Sequence, residues 1–175
     1  MRPSDLVVLA VDSDHAIARC ENLIVVLWIR ETRPDAVHRV GELVRSSRKE
    51  RGELCGLIQV ALPGAANPEQ AAREALIQLV RSSKGSLVAS AVVYPGEGFL
   101  MAAARAFVSG IAMLARPGFP HLVFPTRTEA ADWLSRILPL TGGSYWTARE
   151  LIAAIDQLLD RIAITDPHVA SLPRI

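Results

Sequence analysis

The sequence lacks the features that mark disulfide-rich, nucleic-acid-binding and membrane-spanning proteins. It contains 2 cysteines, and its formal net charge is +1 with 21% charged residues. Binding to nucleic acid or to an acidic membrane surface needs clustered Lys and Arg. The densest basic segment, Arg45–Arg51, also carries an acid and is predicted to form the solvated end of a helix. The composition therefore gives no reason to expect a nucleic-acid partner.

Long apolar segments are also lacking. The apolar run Leu6–Val11 ends at Asp12, and this is too short for the apolar region of a signal peptide. The mostly apolar segment Phe99–Ala115 is short for a membrane span and carries Arg105 near its centre. We therefore expect no membrane insertion.

The cysteines are placed as in a protein of a reducing compartment. Cys20 and Cys55 lie in apolar, strand-like runs, and they have no CxxC spacing. We interpret them as buried thiols, which indicates a cytoplasmic protein. A disulfide and metal ligation are the alternatives.

Apolar, often β-branched runs alternate with amphipathic segments along the chain. With 175 residues, of which 50% are hydrophobic, the chain fits one globular domain. Strands are predicted at Leu6–Asp12, at Ile17–Cys20 leading into Leu23–Ile29, and at Leu54–Leu62, Leu87–Tyr94 and His121–Phe124. Helices are predicted to begin near Pro34, Asn67, Phe99, Thr126 and Thr147.

This order predicts an α/β fold with a mixed, mostly parallel sheet of about five strands and crossover helices. The run Leu23–Ile29 is expected to be a central strand that is buried on both faces. We assign residues 1–163 to a single domain, with a core of about 5–138 and an added C-terminal helix of about 147–162. This helix carries an apolar stripe that should dock on the domain. Residues 164–175 are predicted to be a tail.

The end of the core carries a family likeness. The segment Val123-Phe-Pro-Thr-Arg-Thr-Glu-Ala-Ala-Asp-Trp-Leu134 places a short last strand before a helix that contains Glu-Ala and Trp-Leu. Together with the order of elements, it resembles the STAS or SpoIIAA-like domains, which are named for sulphate transporters and anti-sigma-factor antagonists. The resemblance implies a non-catalytic regulatory or scaffold module that acts through protein contacts.

The sequence departs from this family where a phosphorylation switch would lie. The family's antagonists carry an Asp-Ser-Ser or similar run after the third strand, at the start of the next helix. The corresponding stretch here, Leu62–Glu69, contains neither Ser nor Thr. We therefore predict no phosphorylation switch at this position.

No motif for catalysis, metal or cofactor binding stands out. The histidines His15, His38, His121 and His168 have no zinc-motif spacing and are expected on the surface. No G-x-S-x-G nucleophile motif is present. Asp12 and Asp14 are interpreted as turn formers rather than as a carboxylate pair. We assign no catalytic, metal or cofactor residue and do not expect an enzyme.

The loop before the apolar helix resembles a dinucleotide fingerprint only superficially. Gly96 and Gly98 follow a strand and open a helix, but Met101 stands at the third glycine position. Glu97 also places negative charge where phosphate would bind. We predict a tight turn with glycines at positive φ, and a weak anion site at the helix N-terminus as a further possibility.

The helix Phe99–Ala115 is the predicted interaction surface. Its bulky residues Leu100, Phe107, Ile111 and Leu114 are expected to face inward. The opposite face is expected to contact a partner or a second copy through small residues and arginines, namely Ala102, Arg105, Ser109, Ala112 and Arg116. An Arg105 that merely extends from a half-buried helix is the alternative.

Other function classes remain open beside the protein-contact module. One is a small-molecule or lipid sensor with a pocket between sheet and helix, and another is an enzyme with dispersed catalytic residues. A cavity with convergent polar groups would favour these two, whereas a flat surface with an exposed apolar patch would favour protein contacts.

Overall fold

A computed structural model describes residues 6–52, 54–142 and 145–172 of the chain. The expectations for residues 1–5 and 173–175, and for the side chain of Leu100, lie outside the described part. Within it, strands and helices alternate as in an α/β protein, and the predicted fold class is confirmed at this level.

The sheet has six strands in sequential order, β1 to β6. Strands β1 to β3 pair antiparallel, and β3 to β6 pair parallel. The strands are β1 Val7–Val11, β2 His15–Cys20, β3 Leu23–Trp28, β4 Cys55–Ala61, β5 Leu87–Val93 and β6 His121–Phe124.

The predicted count of about five strands is too low. Ile17–Cys20 does not lead into the next run but belongs to a separate strand, which pairs antiparallel with β3. The chain reverses at Glu21, which has a positive φ of 50°. A left-handed residue at this point allows the tight turn that separates the two strands.

Helices cover both faces of the sheet. The helices are α1 Pro34–Arg51, α2 Gln70–Ser82, α3 Phe99–Ala115, α4 Arg127–Leu140, α5 Ala148–Ala163 and α6 Pro167–Ser171. Helices α1 and α2 pack on one face, and α4, α5 and α6 pack on the other. The crossovers α1, α2 and α3 connect successive parallel strands, as the alternating pattern predicts.

The central strand β3 supplies side chains to both cores. Leu23, Val25 and Leu27 join the core beneath α4 and α5, whereas Ile24 and Val26 join the core beneath α1 and α2. The prediction of a central strand buried on both faces is therefore confirmed. Cys20 and Cys55 are buried on opposite faces of the sheet.

Threonine side chains cap two of the helices at the residues near which these helices were predicted to begin. Thr126 and Thr147 cap α4 and α5, and Thr147 forms a complete capping box with Glu150. Asn67 does not cap α2, because the N-cap residue is Glu69. The Asn67 side chain instead accepts a hydrogen bond from the Tyr94 hydroxyl group at 2.7 Å.

The C-terminal helix docks as predicted. Leu151, Ile155, Leu158 and Ile162 of α5 are all buried in the core. The prediction of a tail from residue 164 is wrong for the described residues. Pro167–Ser171 forms α6, and its Val169 is buried in the same core.

Candidate ligand-binding cavity

A cavity lies between the sheet and the helices α2 and α3. Its volume is about 60 Å³. Apolar side chains from both layers make up most of its wall, among them Trp28, Leu57, Leu76, Val80, Val92 and Ile111. The cavity therefore lies between sheet and helix, as a pocket of the sensor alternative would.

Small residues on the inner side of α3 leave this space open. Ala104, Ala112 and Ala115 are buried, and Ala112 lines the cavity beside Ile111. Alanine side chains cannot reach across the gap that Leu or Phe would fill at the same helix–sheet distance. The small side chain of Ala112 therefore helps to leave this space open.

Polar side chains from adjacent strands enter this apolar wall. Gln59 comes from β4, Ser90 from β5 and His121 from β6, and all of them line the cavity. Gln59 accepts a hydrogen bond from the indole N–H of Trp28 at 3.2 Å. A mostly apolar cavity with a few fixed polar groups is the usual form of a small-molecule site.

The Tyr94 hydroxyl group lies at the end of β5 and closes one part of the wall. It donates to the Asn67 side chain, which connects the loop after β4 to the end of β5. Burial raises the pKa of Tyr94, so this hydroxyl group stays protonated near neutral pH.

His121 is the titratable imidazole of the cavity. Burial lowers its pKa from 6.5 to about 4, because the charged form loses its hydration there. The ring is therefore neutral near pH 7. Its Nδ1 atom is buried and has no hydrogen-bond partner among the described residues. The residue as a whole is half-buried, so the expectation of a surface histidine is met only in part at this position.

The wall of the cavity is uncharged. None of the described residues that line it is Asp, Glu, Lys or Arg. A charged ligand group would lose its hydration without gaining a counter-charge, and this is costly in an apolar site. The arrangement suits a neutral ligand.

The orientation of α3 differs from the prediction. Phe107 and Leu114 are 38% and 68% exposed, whereas Ala112, assigned to the outer face, is only 6% exposed. Met113 is also exposed. The guanidinium of Arg73 lies 5.4 Å from the centre of the Phe107 ring. Ile111 lies inward, as predicted, but Phe107 and Leu114 lie outward and Ala112 lies inward.

Other residues of the predicted interaction face have mixed positions. Ala102 and Arg116 are exposed, and Ser109 is partly exposed. Arg105 donates to the backbone carbonyl of Gly96 at 2.8 Å and to that of Tyr94 at 3.3 Å. Arg105 therefore stabilises the loop between β5 and α3. The interaction face itself stays a prediction.

The glycine turn before α3 has the predicted backbone. Gly96 and Gly98 have φ angles of +115° and +87°. A Cβ atom on Gly96 would lie 2.7 Å from Cγ of Met101. The turn therefore requires glycine at position 96 for its backbone conformation and for its close contact with α3. The weak anion site at this turn stays a prediction.

The acidic pair near β1 forms a turn, as interpreted. Asp12 Oδ1 accepts from the backbone N–H groups of Asp14 and His15 at 2.8 and 2.9 Å. His15 was expected on the surface but is buried, and its Nδ1 lies 3.0 Å from Asp12 Oδ1. His38 and His168 are exposed, as expected. In the described ranges, no group of His, Cys, Asp and Glu side chains suits a metal ion.

Sequence reasoning missed the polar residues of the cavity. Gln59 and Ser90 each interrupt a strand that is otherwise apolar and buried. A polar residue within such a run is a signal of a buried hydrogen bond or a binding site. His121 gives a weaker signal, because it begins its strand and a surface position is equally compatible with the pattern.

Comparison with known proteins finds no matching family model, no matching curated protein and no matching solved structure. A separate search of the described helices finds none that is both long enough and apolar enough to cross a membrane.

Proposed function

We propose that the protein is a non-catalytic regulatory module that binds a small, mostly apolar molecule between its sheet and α2–α3. The observation that carries this proposal is the cavity, whose apolar wall receives polar side chains from β4, β5 and β6. The STAS-like resemblance and the cytoplasmic location expected from the two thiols belong to the same proposal.

Binding is proposed without chemistry on the ligand, because the polar groups lack the arrangement of a catalytic site. Gln59 is engaged by Trp28, and Tyr94 is engaged by Asn67. Catalysis needs a nucleophile or a proton-transfer group within hydrogen-bond reach of an orienting partner. His121 has a buried Nδ1 without a partner among the described residues, so no such pair is formed there.

Xenon is a suitable first probe because it is apolar, uncharged and small enough for a cavity of about 60 Å³. A ligand that binds only the native state raises the melting temperature, because it stabilises that state by RT ln(1 + [L]/Kd). We expect xenon under pressure to raise the melting temperature of the wild-type protein. The measurement is differential scanning calorimetry with and without the probe.

A matched pair of α3 variants locates the effect. Ala112→Leu fills the cavity, because Ala112 lines it, whereas Ala106→Leu adds the same atoms to an exposed position. Ala112→Leu should abolish the shift caused by xenon, and Ala106→Leu should keep it. Ala112→Val is the milder filling variant if the leucine disturbs folding. An equal shift in all variants, or none in the wild type, would contradict the proposal.

A protein-contact module remains a second candidate, and exposed apolar residues on α3 favour it. Met113 and Leu114 are 77% and 68% exposed. Such neighbours often mark an interaction surface. If this face joins two copies of the chain, the protein should dimerise in sedimentation velocity, and Met113→Gln with Leu114→Gln should return it to the monomer. A monomeric wild-type protein would contradict self-association.

A further inference from the structure

The outward face of α3 is apolar and projects from the surface. Met113 and Leu114 are 77% and 68% exposed, and Phe107 is 38% exposed. Phe107 and Leu114 are seven residues apart, so they lie on the same face of the helix. Side chains with such high exposure project from the surface rather than line a groove. We call these three residues the α3 patch. Adjacent exposed apolar side chains mark a contact site for a protein or a membrane.

Basic side chains border the α3 patch. The guanidinium of Arg73 lies 5.4 Å from the centre of the Phe107 ring. Arg81 donates to the backbone carbonyl of Leu114 at 3.4 Å. Arg116 is exposed and forms the C-cap of α3. These arginines come from α2 and from the end of α3, so the fold brings together a basic cluster that no single segment of the sequence contains.

Lys84 extends this cluster, and acidic residues are scarce beside it. The Cγ atom of Lys84 would lie 2.8 Å from a Cβ atom on Gly118, so its stem packs on the segment that leaves α3. The sequence has no Asp or Glu from residue 98 to residue 128. Glu74 follows Arg73 on α2, but its carboxylate accepts from Gln70 at 3.1 Å. The charge around the α3 patch is therefore mainly positive.

We propose that the α3 patch and its four bordering cations bind the surface of an anionic lipid membrane. Met113 and Leu114 enter the boundary between headgroups and acyl chains, and the basic side chains contact the lipid phosphates. Apolar side chains gain free energy in that boundary, and Lys and Arg are attracted by the negative surface potential. The surface is separate from the proposed cavity, because the cavity lies on the inner side of α3.

The charge and the shape of the α3 patch decide between a membrane and a protein. In a two-fold dimer through this patch, the cations of one copy would face the same cations of the other copy, which is unfavourable. An acidic amphipathic helix would match the charge, but such helices bind in apolar grooves. Met113 and Leu114 project instead. A flat and deformable anionic surface fits both the charge and the shape.

Sedimentation with lipid vesicles tests the proposal. One set of vesicles contains phosphatidylcholine alone, and the other contains equal parts of phosphatidylcholine and phosphatidylglycerol. The wild-type protein should bind the mixed vesicles and not the neutral ones. Binding should weaken as salt is added, because salt screens exposed charges. Binding to neither set, or to both sets equally, would contradict the proposal.

A matched pair of double variants tests the apolar contact. Met113→Asp with Leu114→Asp should abolish binding to the mixed vesicles. Leu140→Asp with Ile164→Asp changes the net charge equally, at residues that are 80% and 84% exposed near helices on the opposite face of the sheet. This control should keep most of the binding. Equal losses in the two double variants would show that net charge, and not the α3 patch, controls binding.

A second matched pair tests the basic border. Each Lys or Arg near an anionic surface contributes roughly fivefold, so Arg81→Gln with Lys84→Gln should lower the partition coefficient by roughly 10- to 30-fold. Arg149→Gln with Arg161→Gln removes two exposed cations from α5. This control should change the partition coefficient much less. The same loss in both pairs would contradict a localised surface.

A further measurement needs no substitution and covers the case in which a variant does not fold. In protein with ¹³C-labelled methionine methyl groups, spin-labelled lipid in the mixed vesicles should broaden the Met113 resonance more than that of Met101. Met101 packs against Gly96 at the other end of α3. Equal broadening would overturn the proposal. A wild-type dimer in sedimentation velocity that binds no vesicles would instead assign the α3 patch to a second copy.

Discussion

Ser90 on β5 and His121 on β6 are register partners in the parallel part of the sheet, and both side chains line the cavity beneath α2 and α3. Together with Gln59 on β4, these two neighbouring polar residues interrupt a mostly apolar face. This pair gives the cavity a polar end, and the low pKa of His121 keeps that end uncharged.

The titration of His121 predicts a pH dependence of stability. Its pKa is about 4 in the folded protein and 6.5 in the reference state. Above pH 6.5 the ring is neutral in both states and contributes no slope. Between pH 6.5 and 4 the unfolded chain binds the proton and the native state does not. The free energy of unfolding should therefore fall by roughly 3 kcal/mol as the pH decreases through this range.

Urea denaturation at a series of pH values checks this prediction. His121→Phe should flatten the dependence between pH 6.5 and 4, whereas the exposed His38→Gln should keep it. The pKa values of Asp35 and Glu150 are lowered from 3.8 and 4.5, so these groups also reduce the free energy of unfolding at acidic pH. Their contribution is the same in wild type and in His121→Phe, and it cancels in the comparison. A slope that is the same in wild type and His121→Phe would show that His121 titrates normally.

The hydrogen bond between Trp28 and Gln59 predicts a non-additive pair. Gln59→Leu leaves the buried indole N–H without its acceptor and should cost about 1–3 kcal/mol. In Trp28→Phe the donor is already absent, so the same change at Gln59 should cost much less there. Chemical denaturation of the single and double variants gives the coupling energy. Additive effects would mean that the bond contributes nothing.

The glycine turn before α3 predicts different costs at two neighbouring positions. Gly96→Ala strains a backbone at φ +115° and places its Cβ 2.7 Å from Met101. Gly98→Ala meets the same kind of strain at φ +87° but has no atom within 4 Å. Strain of this kind costs on the order of 1–3 kcal/mol. Gly96→Ala should therefore lower the free energy of unfolding by more than Gly98→Ala, and equal losses would contradict the contact with Met101.

Docking of α5 predicts a large effect at its centre. Ile155 is fully buried, so Ile155→Ala should lower the free energy of unfolding by about 2–5 kcal/mol. Ile164, which follows the helix, is 84% exposed, and Ile164→Ala should change it by less than about 0.5 kcal/mol. Urea titrations compare the two. A small loss in Ile155→Ala would mean that α5 is not part of the core.

The sequence predicted individual elements better than their relative packing. The bounds of α3 and β6 and the burial of β3 agree with the structure. These elements carry strong local signals, namely a glycine before a long apolar run, or continuous β-branched residues. The turn at Glu21 was missed because a left-handed non-glycine residue has no clear signature in the sequence.

The predicted orientation of α3 was wrong for a physical reason. The helix is apolar on nearly all sides, so its periodicity does not show which face meets the sheet. The size of Phe107 and Leu114 suggested that they face inward. In the structure, Ile111 and Ala112 are the α3 residues that are buried against the cavity. The cavity depends on side chains from strands and helices far apart in the chain, and no local pattern predicts such a place.

The most direct test of ligand binding in the cavity is a ¹⁹F NMR titration of the protein labelled with 5-fluorotryptophan. Trp28 lines the cavity, whereas Trp133 and Trp146 pack in the core on the opposite face of the sheet. With increasing xenon pressure, the resonance of Trp28 should shift and saturate, while those of Trp133 and Trp146 stay in place. Resonances that all remain unchanged, or that all shift together, would contradict binding at this cavity.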